Sequence, residues 1–128
     1  LQLNTNFIFL VRKIAKKNSL TLPQALILLN VSISGSSMST LANLLGLDPS
    51  TVTRNIEKLE VRNLLYREKS TSDTRKVYVY MSGRGKEISK KIEEDLEFQL
   101  VDAIGSKIDI AETIQKINWS LEKNKLGQ

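Results

Sequence analysis

A mainly α fold with a small β hairpin is predicted by three features of this sequence. Apolar residues recur at helical spacing over most of its length, residues 64–81 switch to strand-like character, and two helical patterns are separated only by Gly46-Leu47-Asp48. From Leu41 to Gly85 the chain runs LANLLGLDPSTVTRNIEKLEVRNLLYREKSTSDTRKVYVYMSGRG. Helix, tight turn, helix and basic hairpin in that order describe a winged helix-turn-helix domain, which lays one helix in the major groove of duplex DNA with a hairpin beside it. The expected layout is a winged helix-turn-helix domain over 19–85, with N- and C-terminal helices, 1–18 and 86–128, forming a dimerisation region.

The elements follow from local pattern. Phe7, Leu10, Val11 and Ile14 fall at i, i+3, i+4 and i+7, which predicts an amphipathic helix over 3–17. Its last turns carry Arg12, Lys13, Lys16 and Lys17, cations that suit the negative end of the helix dipole. Thr21 or Leu22 caps the next helix with Pro23 at its first position, and the run Ala25 to Leu29 is apolar enough to make that helix central. Ser34-Gly35-Ser36-Ser37 reads as a loop, after which Ser39 caps a short helix ended by a left-handed Gly46.

Asp48 caps the following helix and Pro49 opens it, the pattern extending to about Asn63. Val52, Ile56 and Leu59 mark its inner face; Ser50, Thr51, Arg54, Glu57 and Lys58 mark the opposite one. Small hydroxyls at the N-terminal end, followed by Arg and Lys, suit a helix that enters a groove by its N-terminus. An isolated helix of this kind is more often an ordinary surface helix; its place between a three-residue turn and a basic hairpin reverses that preference.

Leu64–Lys69 and Lys76–Met81 read as two strands joined by the polar stretch 70–75. Asp73, two residues before Arg75, can hold that arginine extended at the tip, poised for a minor groove whose narrow A·T stretches concentrate negative potential. Beyond Ser82 helical periodicity returns. Ile88, Ile92, Leu96, Gln99 or Leu100, and Ala103 form one stripe, and after a break around Gly105, Ile110, Ile114, Ile117 and Leu121 form another. A winged core this small offers them little to pack against, so the stripes, with the N-terminal helix, are expected at a dimer interface. Gly83-Arg84-Gly85-Lys86 fails the spacing of a phosphate loop and is read as the start of the long helix.

Composition narrows the chemistry. The 128 residues contain no Cys and no His, which removes disulfides, thiol redox sensing, Cys/His zinc sites and nucleophile–histidine pairs. An enzyme and a bound cofactor are therefore not expected. No run approaches a membrane span, so a soluble, cytoplasmic protein with no membrane partner is the expectation. The net charge of +5 is unevenly spread. Residues 1–53 hold four bases and one acid, residues 54–91 eleven and five, and residues 92–128 four and eight. The positive excess sits on the second motif helix, the hairpin and the start of the last helix, where phosphate contacts would fall.

These residues resemble the multiple antibiotic resistance regulator (MarR) family of winged-helix transcription factors over most of the chain. The matching segments are 20–24 (LTLPQ), 41–54 (LANLLGLDPSTVTR), 58–60 (KLE), Arg67, 73–76 (DTRK) and Gly85. The resemblance places recognition-helix positions on Ser50, Thr51, Thr53 and Arg54, and the wing acid and arginine on Asp73 and Arg75. Asn63 stands where the family usually has glycine, and Met81-Ser82 where it has Leu-Thr. What the resemblance implies is a homodimeric, sequence-specific regulator of double-stranded DNA, by preference a repressor, with a small-molecule effector as a further partner the family allows.

In that reading Arg54 contacts base edges, with Ser50, Thr51 and Thr53 on bases or phosphates. Arg75 reads the minor groove, and Lys58, Arg67, Lys69 and Lys76 position the backbone. The alternative is a winged-helix module that uses the same fold for protein contacts without specific DNA binding.

Overall fold

The computed structural model describes residues 1–104 and 108–126, with side chains over 1–102 and 112–124. They form two compact units, Leu1–Leu96 and Glu97–Gln128. The first holds α1 (Gln2–Lys17), α2 (Leu22–Asn30), β1 (Ser36–Ser37), α3 (Met38–Leu45), α4 (Pro49–Val61), β2 (Leu65–Lys69), β3 (Val77–Met81) and the start of α5 (Gly83–Ile104). The end of α5 and α6 (Ile108–Leu126) belong to the second.

Helix α2 is central because its sequence leaves it no solvent face to offer. Ala25, Ile27 and Leu28 are fully buried, and the helix packs against α1, α3 and α4. Thr21 caps it through a capping box: the Thr21 hydroxyl accepts from the Gln24 amide at 3.4 Å while the Gln24 side chain accepts from the Thr21 amide at 3.0 Å. Leu22 is thus its first residue, one before Pro23. Around α2 the core gathers Ile14, Leu20, Leu41, Val52, Ile56, Leu59, Leu64, Val79 and Ile92.

Three expectations change. The serine stretch is not all loop: Ser36 and Ser37 form an edge strand opposite Val79 and Tyr78, giving a sheet of order β1-β3-β2 rather than a bare hairpin. Two serines carry no strand signal of their own, and it is the free edge of β3 that orders them. Ser37, not Ser39, caps α3, accepting from the Thr40 amide at 3.1 Å. Both serines have the chemistry; Met38 packing on the core sets the first turn where Ser37 does the capping.

The third change concerns the long stripe. Ile92 is fully buried in the core of the first unit, and Ile88 and Leu96 pack against it, so this part of the stripe is covered within its own domain. Val11, Ile14 and Ala15 of α1 are likewise buried. Phe7 and Phe9 are exposed, as are Ile114, Ile117 and Leu121 of α6. The break around Gly105 and the side chains of Ala103 and Ile110 lie outside the described residues. Among the described residues no helix is long and apolar enough to cross a membrane.

Candidate nucleic-acid interface

The turn between α3 and α4 is built from three residues with separate tasks. Gly46 ends α3 in the left-handed region (φ 63°), which costs a residue without Cβ nothing, and the Leu47 amide returns to the Ala42 carbonyl at 3.0 Å. Asp48 then caps α4. Its Oδ2 accepts from the amides of Ser50 (3.1 Å) and Thr51 (3.3 Å) and from the Ser50 hydroxyl. The Ser50 hydroxyl foremost, then the Thr51 amide, hold the Asp48 carboxyl below the usual carboxylate range; desolvation opposes them, and the Ser50 amide and the charge of Arg54 add to the lowering. Pro49 at the first helical position has no N–H to leave unsatisfied.

Helix α4 divides as its periodicity predicts. Val52, Ile56 and Leu59 are fully buried, whereas Ser50, Arg54, Glu57 and Lys58 are exposed and Thr51 and Thr53 are half-buried. Thr53 Oγ1 donates to the Pro49 carbonyl at 3.0 Å, and Arg54 Nη2 donates to Thr51 Oγ1 at 3.4 Å. Thr51 and Arg54 are thereby linked on the outer surface. Asn63, beyond the helix, takes the left-handed conformation (φ 57°) that glycine would otherwise supply.

The wing is an antiparallel ladder in which Leu65 faces Met81 and Lys69 faces Val77. At its tip the Ser70 amide reaches the Lys76 carbonyl (2.8 Å) and the Lys76 amide the Asp73 carbonyl (2.9 Å). Asp73 Oδ1 accepts from both the amide (3.1 Å) and Nε (3.2 Å) of Arg75, whose side chain is 90% exposed. The acid therefore holds the arginine at the tip as its spacing predicts. Lys69 and Lys76 are exposed. Arg67 is placed differently from its neighbours: its Nε lies 2.8 Å from Glu60 Oε1, bridging β2 to the C-terminal half of α4.

Sequence reasoning passed over one part of this surface. An open cavity of about 720 Å³ lies between the start of α3 and the tip end of the wing, and Ser37, Ser39 and Thr40 line it together with Arg75 and Lys76. Strand β1 brings the hydroxyls there. Because that strand has no local signal, the only trace in the sequence was the serine run itself. Taken as a whole, the first unit carries a capped helix with an outer row of hydroxyls and an arginine, and a hairpin that presents basic side chains at its tip.

Comparison with known proteins matches this architecture. No curated protein sequence matches the chain. The regulator BldR from Sulfolobus solfataricus is similar at 23% identity over 95% of this chain and 88% of its own, with a TM-score of 0.81. AbsC, a MarR family transcriptional regulator from Streptomyces coelicolor, is similar at 21% identity over 99% and 89%, with a TM-score of 0.77. A point mutant of MepR from S. aureus, solved bound to an oligodeoxyribonucleotide, is similar at 16% identity over 98% and 93%, with a TM-score of 0.69. These likenesses establish the winged-helix fold of MarR-type regulators. The profile of the family described as transcriptional regulator SarA/Rot matches residues 10–92, more than half of the sequence. The chain belongs to the SarA/Rot family and is a DNA-binding transcriptional regulator with a winged-helix fold.

Proposed function

We propose that the protein works as a homodimer that represses transcription, with α4 of each copy in a major-groove segment and each wing at the adjoining minor groove. The observation that carries this reading is the outer face of α4: Ser50, Thr51 and Arg54 are displayed on a helix whose capped N-terminus would meet the groove first. Arg54 offers the fork that pairs two acceptors of a guanine edge. Arg75, exposed at the wing tip with its Nε on Asp73, would reach a narrow minor groove. Lys58, Lys69 and Lys76 are free in geometry to meet phosphates, while Arg67 supports the wing through Glu60.

Dimerisation is supported by the apolar residues left uncovered, among them Phe7 and Phe9 on α1 and Ile114, Ile117 and Leu121 on α6. A small-molecule effector would act on the spacing of the two recognition helices. With no Cys or His among these 128 residues, none of them could release DNA by thiol oxidation or by histidine-bound zinc.

The test is selection of duplexes from a random library, followed by affinity measurement across a salt series. The expected result is a near-palindromic consensus and an affinity that falls steeply with salt. A protein-interaction module would select no consensus and bind DNA weakly or not at all. A thermal-shift panel of small phenolic acids tests the effector; no shift with any compound counts against sensing of that chemistry.

A further inference from the structure

Arg62 is the residue on which α4 ends. Its backbone caps α4 just past Val61, and its side chain turns toward the first two helices. Nη1 donates to the Ser19 carbonyl at 2.6 Å and Nη2 to the Asn18 carbonyl at 3.2 Å, across more than forty residues of sequence. Those carbonyls belong to the corner between α1 and α2. Asn18 is the C-cap of α1, Ser19 is left-handed (φ 58°), and the Leu20 amide closes back on the Ala15 carbonyl at 2.9 Å.

That corner is a natural seat for a guanidinium. The end of α1 carries the negative end of its dipole, and carbonyls past the last helical turn need donors from elsewhere. A planar fork meets two acceptors at once, which an ammonium does less well. Arg67 and Arg75 are each paired with a carboxylate, at 2.8 and 3.2 Å. Arg62, in the same basic segment, instead directs its charge to backbone oxygens of its own fold.

The contact matters because of what holds the rest of α4. Val52, Ile56 and Leu59 seat the helix on the core, yet apolar burial is non-directional and fixes depth better than tilt. Side chains that read base edges must be held to within roughly 0.5 Å of their working positions. Two directional, charge-assisted bonds at the C-terminal end supply the constraint that apolar packing lacks.

We propose that Arg62 is a positioning residue for DNA binding. It ties the end of α4 to the α1–α2 corner and so sets the tilt at which Ser50, Thr51 and Arg54 are presented, without touching DNA itself. This rests on the reading of α4 as the recognition helix.

The experiment compares wild type, Arg62→Met, Arg62→Lys and Arg54→Ala on a duplex selected in vitro by the wild-type protein. Affinity is measured across a salt series, and urea unfolding is followed for each. Arg62→Met should bind about tenfold more weakly with an unchanged slope of log K against log salt, because no phosphate contact is lost. Arg62→Lys, which keeps the charge but not the fork, should lose roughly threefold, again at constant slope. A slope reduced by about 0.9 in Arg62→Met, with Arg62→Lys near wild type, would make Arg62 a phosphate contact and overturn the proposal.

Wild-type affinity in a less stable Arg62→Met would make it a structural brace alone, which also overturns it. Should Arg62→Met not fold, Arg62→Lys decides: affinity equal to wild type refutes the proposal, and loss at constant slope supports it. If Arg54→Ala leaves affinity and sequence preference intact, the recognition-helix reading fails and the positioning role fails with it. If Arg54→Ala weakens binding while neither Arg62 variant does, only the positioning role fails.

Discussion

Single residues set the tolerances of this fold. Gly85 lies where a Cβ would stand 2.0 Å from the Leu64 carbonyl oxygen, a backbone atom that cannot swing aside. Leu64 is itself fixed, because its carbonyl accepts from the Ser82 amide at 3.0 Å and its amide closes on Leu59 at 3.0 Å. Gly85→Ala should therefore cost about 2 kcal/mol or more, read as a lower urea midpoint with little change in m-value. Asp48 gives a pH signature. Its folded pKa is lowered, so its contribution is present above the unfolded value and is lost as pH falls from about 4 through the folded value. Asp48→Asn keeps a good cap but does not titrate. The stability difference between wild type and Asp48→Asn should thus shrink on acidification across that window, as followed by denaturant unfolding at each pH.

At the level of elements, α4 and the wing were legible to different degrees. The cap, the proline and the inner face of α4 stand in the sequence, because each depends on neighbours within four residues. The wing tip was legible for the same reason, Asp73 and Arg75 being two residues apart. Arg67 was not, since its partner Glu60 lies on another element and only the register of β2 against α4 brings them together. Replacing the exposed wing bases Arg75 and Lys69 one at a time separates the roles proposed for them. Arg75→Ala should weaken operator binding by about 1–3 kcal/mol and relax preference at the minor-groove positions, whereas Lys69→Ala should weaken all duplexes alike and lower the salt slope by about one. Anisotropy titrations on the selected duplex and on a scrambled one distinguish these outcomes.

On the scale of the whole molecule, charge and apolar surface are segregated. The basic excess falls on residues 54–91 and the acidic excess on 92–128, so the polarity that would attract DNA is kept off the last helix. On α6, Ile114, Ile117 and Leu121 share one face and are half-exposed or more, while Trp119 carries Lys123 over its ring at 5.1 Å. For the homodimer proposed above, a double change, Ile114→Glu with Ile117→Glu, should leave a monomer by light scattering and lower affinity for a palindromic duplex far more than for a half-site. A protein that stays dimeric after this change would place its interface elsewhere.

By itself the sequence determined the order of helices and hairpin, the capped turn between α3 and α4, the buried face of α4 and the chemistry ruled out by the lack of Cys and His. These follow from periodicity, short-range hydrogen bonding and composition, all of which act over a few residues or none. Tertiary structure alone decided that Ser36 and Ser37 become a strand, that Ile88, Ile92 and Leu96 cover the core, that Arg67 braces the wing and that Arg62 reaches the α1–α2 corner. Each of those depends on a partner on another element, brought near by packing, and a chain read residue by residue carries no local signal for such a neighbour, whether it lies seven positions away, as Glu60 from Arg67, or forty-three, as Ser19 from Arg62.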